Sequence, residues 1–273
     1  MVRQLSSTRV TDAPIRGFEG ETLTVPGSAG TRSAYNVRQF QDGQPYQELL
    51  IEPVAAMRLQ LVPGIKHLFF YDASATEYLD ILKARPNFFD RAQAENFTTP
   101  GAWATADYLY VGIVGKIGGM VVDVGATVNA VVSVLSAQYN AGKNWATMTV
   151  ATDGTDVGGA TLAQDGLVTV TVPAAWSRAF LNDLVSGAPQ TSQQLYWIRF
   201  SVSVALTASV ILANLTPIGE IAPGTDSVTA LTGGMWQKIN VEYTMDIHPD
   251  VGSVEIIAQA AGAATARASW IAR

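Results

Sequence analysis

Cysteine is absent from the 273 residues, and the only histidines are His67 and His248. Without thiolates, and with two imidazoles, the nucleophile–base pairs and metal-ligand sets of most catalytic sites are scarce. A zinc site would have to rest mainly on carboxylates. Charge is sparse too, at 15% Asp, Glu, Lys and Arg with a formal net charge of −6. That balance lacks the basic surplus needed to wrap a phosphate backbone, so nucleic acid is excluded as an expected partner. There is no long apolar run. The most apolar region, residues 108–135, is interrupted by Lys116, Asp123 and several glycines, short of the ~20 apolar residues that span a bilayer. No membrane partner is expected. The start, Met1-Val2-Arg3-Gln4-Leu5-Ser6-Ser7-Thr8-Arg9, never reaches the apolar stretch of ~7–15 residues of a secretory signal. The expectation is therefore a protein made in a cytoplasm, which the lack of cysteine fits.

What is present is enough apolar material, 48% of the chain, to build a core without covalent staples, as one large domain or two smaller ones. Charge falls unevenly. Residues 1–100 hold ten basic and eleven acidic side chains, residues 101–230 four and eight, and residues 231–273 three and four. The drop after Pro100-Gly101, and the turn-rich stretch Ile221-Ala222-Pro223-Gly224-Thr225-Asp226, mark a central body between two flanks. The expected division is an arm or small β-rich segment with one short helix over 1–100, a β-sandwich over 101–222, and a strand with a tail over 223–273.

The central body alternates with period two, the mark of strands with one buried face. Ala146, Met148 and Val150 alternate with threonines; so do Val168, Val170 and Val172. Ile198, Phe200, Val202 and Val204 alternate with Trp197, Arg199, Ser201 and Ser203. Residues 108–114, 120–124, 131–139 and 209–215 also read as strands, being rich in β-branched and aromatic types. Gly118-Gly119, Asn140-Ala141-Gly142, Asp153-Gly154 and Asp165-Gly166 supply turn chemistry between them. Many short strands with no long amphipathic helix predict an all-β fold: an antiparallel sandwich or jelly roll with extended or small-β terminal segments.

The flanks are less regular. Residues 21–25 and 57–62 read as short extended pieces. Ser74 and Glu77 make a capping box ahead of Tyr78, Ile81 and Leu82, predicting a short helix that Pro86 would stop. In the carboxy-terminal flank, Ile239, Val241, Tyr243, Met245 and Ile247 alternate with polar residues as a strand in need of a sheet. Residues 258–268, a string of small side chains, read as weak helix or as an extended tail.

Chemistry-bearing motifs are few. His67 and His248 read as ordinary structural or loop histidines ahead of a general base. Gly142-Lys143-Asn144 and Gly115-Lys116-Ile117 fail the phosphate-cradling pattern. Asp153-Gly154-Thr155-Asp156 has oxygen ligands for calcium but no EF-hand spacing, and reads as a turn stabilised by its own side chains. No carboxylate pair stands out for glycoside hydrolysis. The triplets Asn96-Phe97-Thr98 and Asn214-Leu215-Thr216 carry little weight without a secretion signal. No metal or cofactor is expected. Aromatics are the remaining signal: Tyr139, Trp145, Trp176 and Trp197 lie in the strand-rich body, with Trp145 and Trp197 out of phase with their strands' apolar sets. Core or subunit contact is the leading reading for them, and a stacking platform for sugar rings the other.

Read in order, the body runs Asp107-Tyr108-Leu109-Tyr110-Val111-Gly112, Tyr139-Asn140-Ala141-Gly142-Lys143-Asn144-Trp145, Thr152-Asp153-Gly154-Thr155, Leu162-Ala163-Gln164-Asp165-Gly166, Pro173-Ala174-Ala175-Trp176 and Tyr196-Trp197-Ile198-Arg199. Over residues 105–216 this succession resembles a β-sandwich module found in structural proteins of tailed-bacteriophage particles. The resemblance rests on the ordered set, with Tyr139, Gly142, Trp145, Asp153, Gly154, Thr155, Trp176, Tyr196, Trp197 and Arg199 as its fold-marking positions. It implies a non-enzymatic virion component, made in the host bacterial cytoplasm. The leading expectation is a decoration or cement protein bound to the major capsid protein and to copies of itself. The alternative is a carbohydrate-binding module, recognising a surface glycan, on a tail or attachment protein.

Overall fold

Residues 2–4, 17–25, 32–36, 48–54, 57–85, 96–207, 209–219, 235–237, 243–246, 250–258 and 264–272 are described by a computed structural model. Along the chain run β1 (Val2–Gln4), β2 (Gly17–Val25), β3 (Arg32–Asn36), β4 (Glu48–Pro53), β5 (Met57–Pro63), β6 (Ile65–Asp72), β7 (Glu77–Asp80) and a single helical turn, α1 (Ile81–Ala84). Then come β8 (Phe97–Thr98), β9 (Tyr108–Ile113), β10 (Gly119–Val124), β11 (Leu135–Ala141), β12 (Asn144–Met148), β13 (Val150–Asp153), β14 (Gly166–Val170) and β15 (Arg178–Ala179). A second turn of helix, α2 (Leu181–Leu184), precedes β16 (Leu195–Val202), β17 (Ile211–Ile218), β18 (Met235–Gln237), β19 (Tyr243–Asp246), β20 (Val251–Ala258) and β21 (Ala264–Ala272). Among the described residues no helix is long and apolar enough to cross a membrane.

Two compact units result, Pro63–Glu220 and Met1–Val62 with Ile221–Arg273. The first is an antiparallel sandwich. One sheet has the order β12-β11-β16-β9-β6-β7, with β15 beside β16, and the other β13-β14-β10-β17-β8. Alternate positions from both sheets meet inside: Leu109, Val111, Ile198, Phe200 and Val202 from one, Met120, Val122, Val168, Leu212 and Leu215 from the other, all buried. Each fully buried aliphatic of this kind contributes about 1.5–3 kcal/mol. A small gap between the layers is lined wholly by apolar side chains, Trp103, Leu109 and Phe200 among them, and belongs to this core.

Several expected elements are redrawn by pairing. The run expected over 146–150 breaks at Thr149, because β12 pairs with β11 while β13 crosses to pair with β14 in the other layer. Val172 falls beyond the end of β14. The strand expected over 131–139 begins only at Leu135. The helix expected after Ser74 is mostly strand. Asp72 Oδ1 accepts from Ser74 N, Ser74 Oγ and Ala75 N, closing a turn from which β7 returns along β6, with Tyr78 opposite Tyr71 and their ring centroids 4.7 Å apart. Only α1 is helical, capped by Asp80 Oδ1 accepting from Lys83 N. Cross-strand aromatic pairing outweighs the local capping signal; Pro86 lies outside the described residues.

The sandwich also starts earlier than residue 101. β6 and β7 join its larger sheet beside β9, and β8 pairs with β17, so the unit boundary falls at 62/63. The stretch 221–226 lies outside the described residues. The other unit draws on both ends of the chain, in sheets ordered β1-β19-β4-β21-β2 and β18-β5-β20-β3. Leu49, Ile51, Leu59, Val62, Val254, Ala266 and Ala268 are buried in it. The small-residue stretch, expected as helix or tail, is strand where it is described: Ala258 ends β20, and residues 264–268 belong to β21, which pairs over its length with β2 on one side and with β4 on the other. Partners on both edges override the weak strand propensity of alanine. Of the alternating run at 239–247, Tyr243–Asp246 forms β19 between β1 and β4; Ile239, Val241 and Ile247 lie outside the described residues.

The larger sandwich sheet is apolar on its second face as well. Phe69, Tyr110, Leu195 and Trp197 cluster there with Leu181 of α2, which with Leu184, Val185 and Ala188 covers that side. Trp197 is wholly buried, and its Nε1 donates to Ala179 O at 2.9 Å. The phase that set Trp197 apart in the sequence therefore reflects a second packed face.

Candidate functional site

Three loops leave the sandwich at one end. The registers Leu135↔Val202, Val122↔Gly166 and Val124↔Leu212 bring together the connections β10–β11, β13–β14 and β16–β17. Asn129, 1% exposed, ties all three. Its Nδ2 donates to Thr161 O at 2.9 Å and Val131 O at 2.7 Å, and its Oδ1 accepts from Val131 N at 2.9 Å and Thr207 N at 3.1 Å. Ser133, equally buried, donates from N to Gly159 O and from Oγ to Val204 O, while its carbonyl accepts from Thr161 N. Leu162 adopts φ 56°, left-handed for a non-glycine residue, held by its N donating to Thr155 Oγ1 and its carbonyl accepting from Asn129 N. Such a conformation costs about 1–3 kcal/mol and persists only where surrounding bonds over-determine it.

On this framework stand Val128, Val132, Val134, Val157 and Val204, exposed by 40, 68, 63, 51 and 48%. Lone exposed valines are ordinary. Five on loops locked to one another make a surface. The β10–β11 and β16–β17 connections, residues 125–134 and 203–210, contain no Asp, Glu, Lys or Arg, whereas the β13–β14 connection carries Asp156, exposed beside Val157, and Asp165. The end is largely apolar and preorganised, with the carboxylates of Asp156 and Asp165 exposed in one of its three loops.

The fold-marking residues divide into three groups. Asp153, Gly154 and Thr155 lie under the loop end. Asp153 Oδ1 accepts from Thr155 N at 3.0 Å and Thr155 Oγ1 at 2.5 Å, and Thr155 is wholly buried. A Cβ on Gly154 would stand 2.8 Å from Leu167 N, so the close approach of the two chains requires glycine. This carboxylate is engaged in its own turn, and no cluster of three or more potential metal ligands occurs among the described residues. Tyr196, Trp176 and Trp197 gather around Asn140: its Oδ1 accepts from Trp197 N at 2.8 Å and Trp176 Nε1 at 3.2 Å, and its Nδ2 donates to Ser177 O. Trp176 packs edge-on against Tyr196. Gly142, at φ 75°, turns the chain and donates to Ser177 Oγ. The third group holds Arg199, its guanidinium 4.4 Å from the Tyr108 ring and 4.5 Å from that of Trp145, with Nε donating to Gln138 Oε1. Tyr139 is half-buried. Trp176 and Trp197 thus offer no face to a sugar, and Trp145 and Tyr108 each hold Arg199 on one face. Asn214, of the second glycosylation-type triplet, is buried.

No family model matches the chain, and comparison with curated proteins and with solved structures found no significant match. The site therefore stands on its own geometry. The loop end was missed in the sequence because Val132 and Val134 fall in the run 131–139, which alternates like a strand; the one available signal was the lack of charge across the β10–β11 and β16–β17 connections.

His67 is the described histidine. It stacks on Phe69 and Trp197, with centroids 5.5 and 6.3 Å away. Burial lowers its pKa from the usual 6.5, with Asp80 opposing. The folded state therefore binds this proton less readily than the unfolded chain. The associated stability is complete above about pH 6.5 and is lost as pH falls from there through the lower folded value. Denaturant titrations at pH 8 and pH 5 are expected to show a decline that His67→Phe abolishes; an equal decline in the variant would assign it elsewhere. His248 lies outside the described residues.

Proposed function

We propose that this chain is a non-enzymatic structural component of a bacteriophage particle, a decoration or cement protein mounted on the shell. The observation that carries the reading is the rigid, largely apolar valine end of the sandwich, built on the same Asp153-Gly154-Thr155 turn that belongs to the phage-module resemblance. Burying the exposed parts of the five valines would gain about 4–8 kcal/mol, against an association cost of about 4–15 kcal/mol. One such contact is marginal alone. It becomes effective where many copies engage an ordered array and each subunit touches it at more than one point, as on a shell.

Electron microscopy of purified particles, with copy number referred to the major shell protein, tests the reading. Density across the head in proportion to the shell protein is the expected result. Density confined to neck or tail would keep the virion role and remove the decoration role. Absence from the particle overturns both.

A further inference from the structure

We propose that the second face of the larger sandwich sheet binds a carboxylate-bearing saccharide at Arg199, with Tyr71, Tyr78, Tyr108 and Trp145 as the aromatic platform around it. The inference is independent of the shell reading, which rests on the loop end.

Beside the cluster that α2 packs against, the same face carries Tyr71, Tyr78, Tyr108, Gln138, Trp145 and Arg199, each half-buried. The registers Gln138↔Arg199, Arg199↔Tyr110 and Tyr108↔Tyr71 set them side by side across neighbouring strands. Their rings form one patch: Tyr71 lies 4.7 Å from Tyr78, and Tyr78, Tyr108 and Trp145 stand 5.9, 5.9 and 5.7 Å from Tyr110. Arg199 is fixed within it, its guanidinium 4.4 Å from the Tyr108 ring and 4.5 Å from that of Trp145, with Nε donating to Gln138 Oε1 at 2.7 Å. No carboxylate among the described residues pairs with this cation.

That uncompensated charge identifies the ligand. Gln138 and Tyr110 serve part of the planar guanidinium fork, and the donors left over match a carboxylate bidentately. Burial raises the pKa of Tyr110, against the lowering effect of Arg199, so this hydroxyl stays neutral and leaves the positive charge in place. Asp80, the acid opposite Phe69 on this face, lies three strands away on β7 and is engaged in capping α1. Trp145 Nε1 is buried without an acceptor among the described residues, a placement that costs stability. The indole is therefore positioned by its ring contacts with Arg199 and Tyr110, not by its own hydrogen bonding. Holding a long side chain still costs rotamer freedom that a merely solvated cation keeps; what results is a fork preorganised for binding. The surroundings suit a sugar. Tyrosine and tryptophan rings offer an apolar face to pyranose C–H bonds and a polar edge to hydroxyls. Neighbouring positions are hydroxylic, Ser136 opposite Ser201 and Thr147 opposite Gln138. The rings lie against one another instead of projecting as the anchors that fill pockets of a protein partner.

Isothermal titration calorimetry of the full chain with a short galacturonate oligomer, its fully methyl-esterified form and polyglutamate is the test. The acid oligomer is expected to bind with a Kd of ~0.1–1 mM. The ester keeps the sugar rings and loses the carboxylates, and should bind at least about tenfold more weakly. Arg199→Lys keeps the charge but gives up the fork, and should weaken the acid oligomer by about tenfold. Val54→Ser, at an exposed valine of the other unit, should leave binding unchanged. Circular dichroism checks the fold of each variant, and the comparison of acid with ester holds whatever Arg199→Lys does to folding. No heat from the acid oligomer up to about 10 mM, equal binding of acid and ester, or undiminished binding by folded Arg199→Lys overturns the inference. Polyglutamate bound as tightly as the saccharide would assign the face to an acidic polypeptide and overturn it too.

Discussion

Trp197→Ala is expected to lower the unfolding free energy by about 3–5 kcal/mol, the usual range for a buried indole reduced to a methyl group. The side chain is wholly buried on the second face of the larger sheet, stacked with Phe69 at 6.3 Å and bonded through Nε1 to Ala179 O. Its removal opens a void between β16 and α2 and strands that carbonyl. Gly112 supplies an internal check. A Cβ there would lie 2.6 Å from the Trp197 ring and 2.9 Å from Leu195, distances that side chains do not tolerate, and the rigid indole has no flexible end to yield. Gly112→Ala should therefore destabilise the natural protein while costing much less beside Trp197→Ala, where the added methyl enters vacated space. Denaturant unfolding of the four proteins in this cycle, followed by circular dichroism, measures the coupling. Additive losses would mean that the indole and the glycine are not paired as described.

Asn140→Ala should cost a similar amount, about 3–5 kcal/mol, by a different route. Asn140 is wholly buried. Its loss leaves Trp197 N and Trp176 Nε1 without their shared acceptor and Ser177 O without its donor; each orphaned buried group costs about 1–3 kcal/mol, moderated because Trp176 Nε1 keeps Trp197 O. Asn140→Asp separates the roles. A carboxylate still accepts from the two donors but cannot donate to Ser177 O, and burial beside that carbonyl raises its folded pKa above the unfolded value. Its contribution is then complete below the unfolded pKa and lost as pH rises through the folded one, so Asn140→Asp should be closest to the natural protein in acid and worst near neutrality. A pH-independent loss would show that the donor bond to Ser177 does not matter.

These two positions were legible to different degrees. Tyr139, Asn140 and Gly142 stood out as part of an ordered motif, and Gly142 as a turn. Nothing in the spacing said that the Asn140 amide would reach across to Trp176 and Trp197. The odd phase of Trp197 was visible, and core or subunit contact was the leading reading for it. What could not be seen was the cover: α2 is one turn of helix without a side-chain cap, too short to carry a periodic signal. The valine loops show the opposite failure. Val132 and Val134 alternate with Ser133 as convincingly as residues in β16 do, yet the segment has a single bridge, Ser133 to Ala160, in place of a ladder.

Alternation and turn residues were enough to establish an antiparallel all-β chain and the course of β9, β10, β14 and β16. These follow from local stereochemistry, because side-chain phase and positive-φ turns are properties of a few neighbouring residues. Pairing is not local. It made residues 77–80 a strand instead of helix, drew an alanine-rich stretch between β2 and β4, put both chain ends in one unit and brought three loops to the same end. In each case a partner far along the chain supplies the hydrogen bonds or the apolar cover, and no window of sequence contains both halves of such a contact.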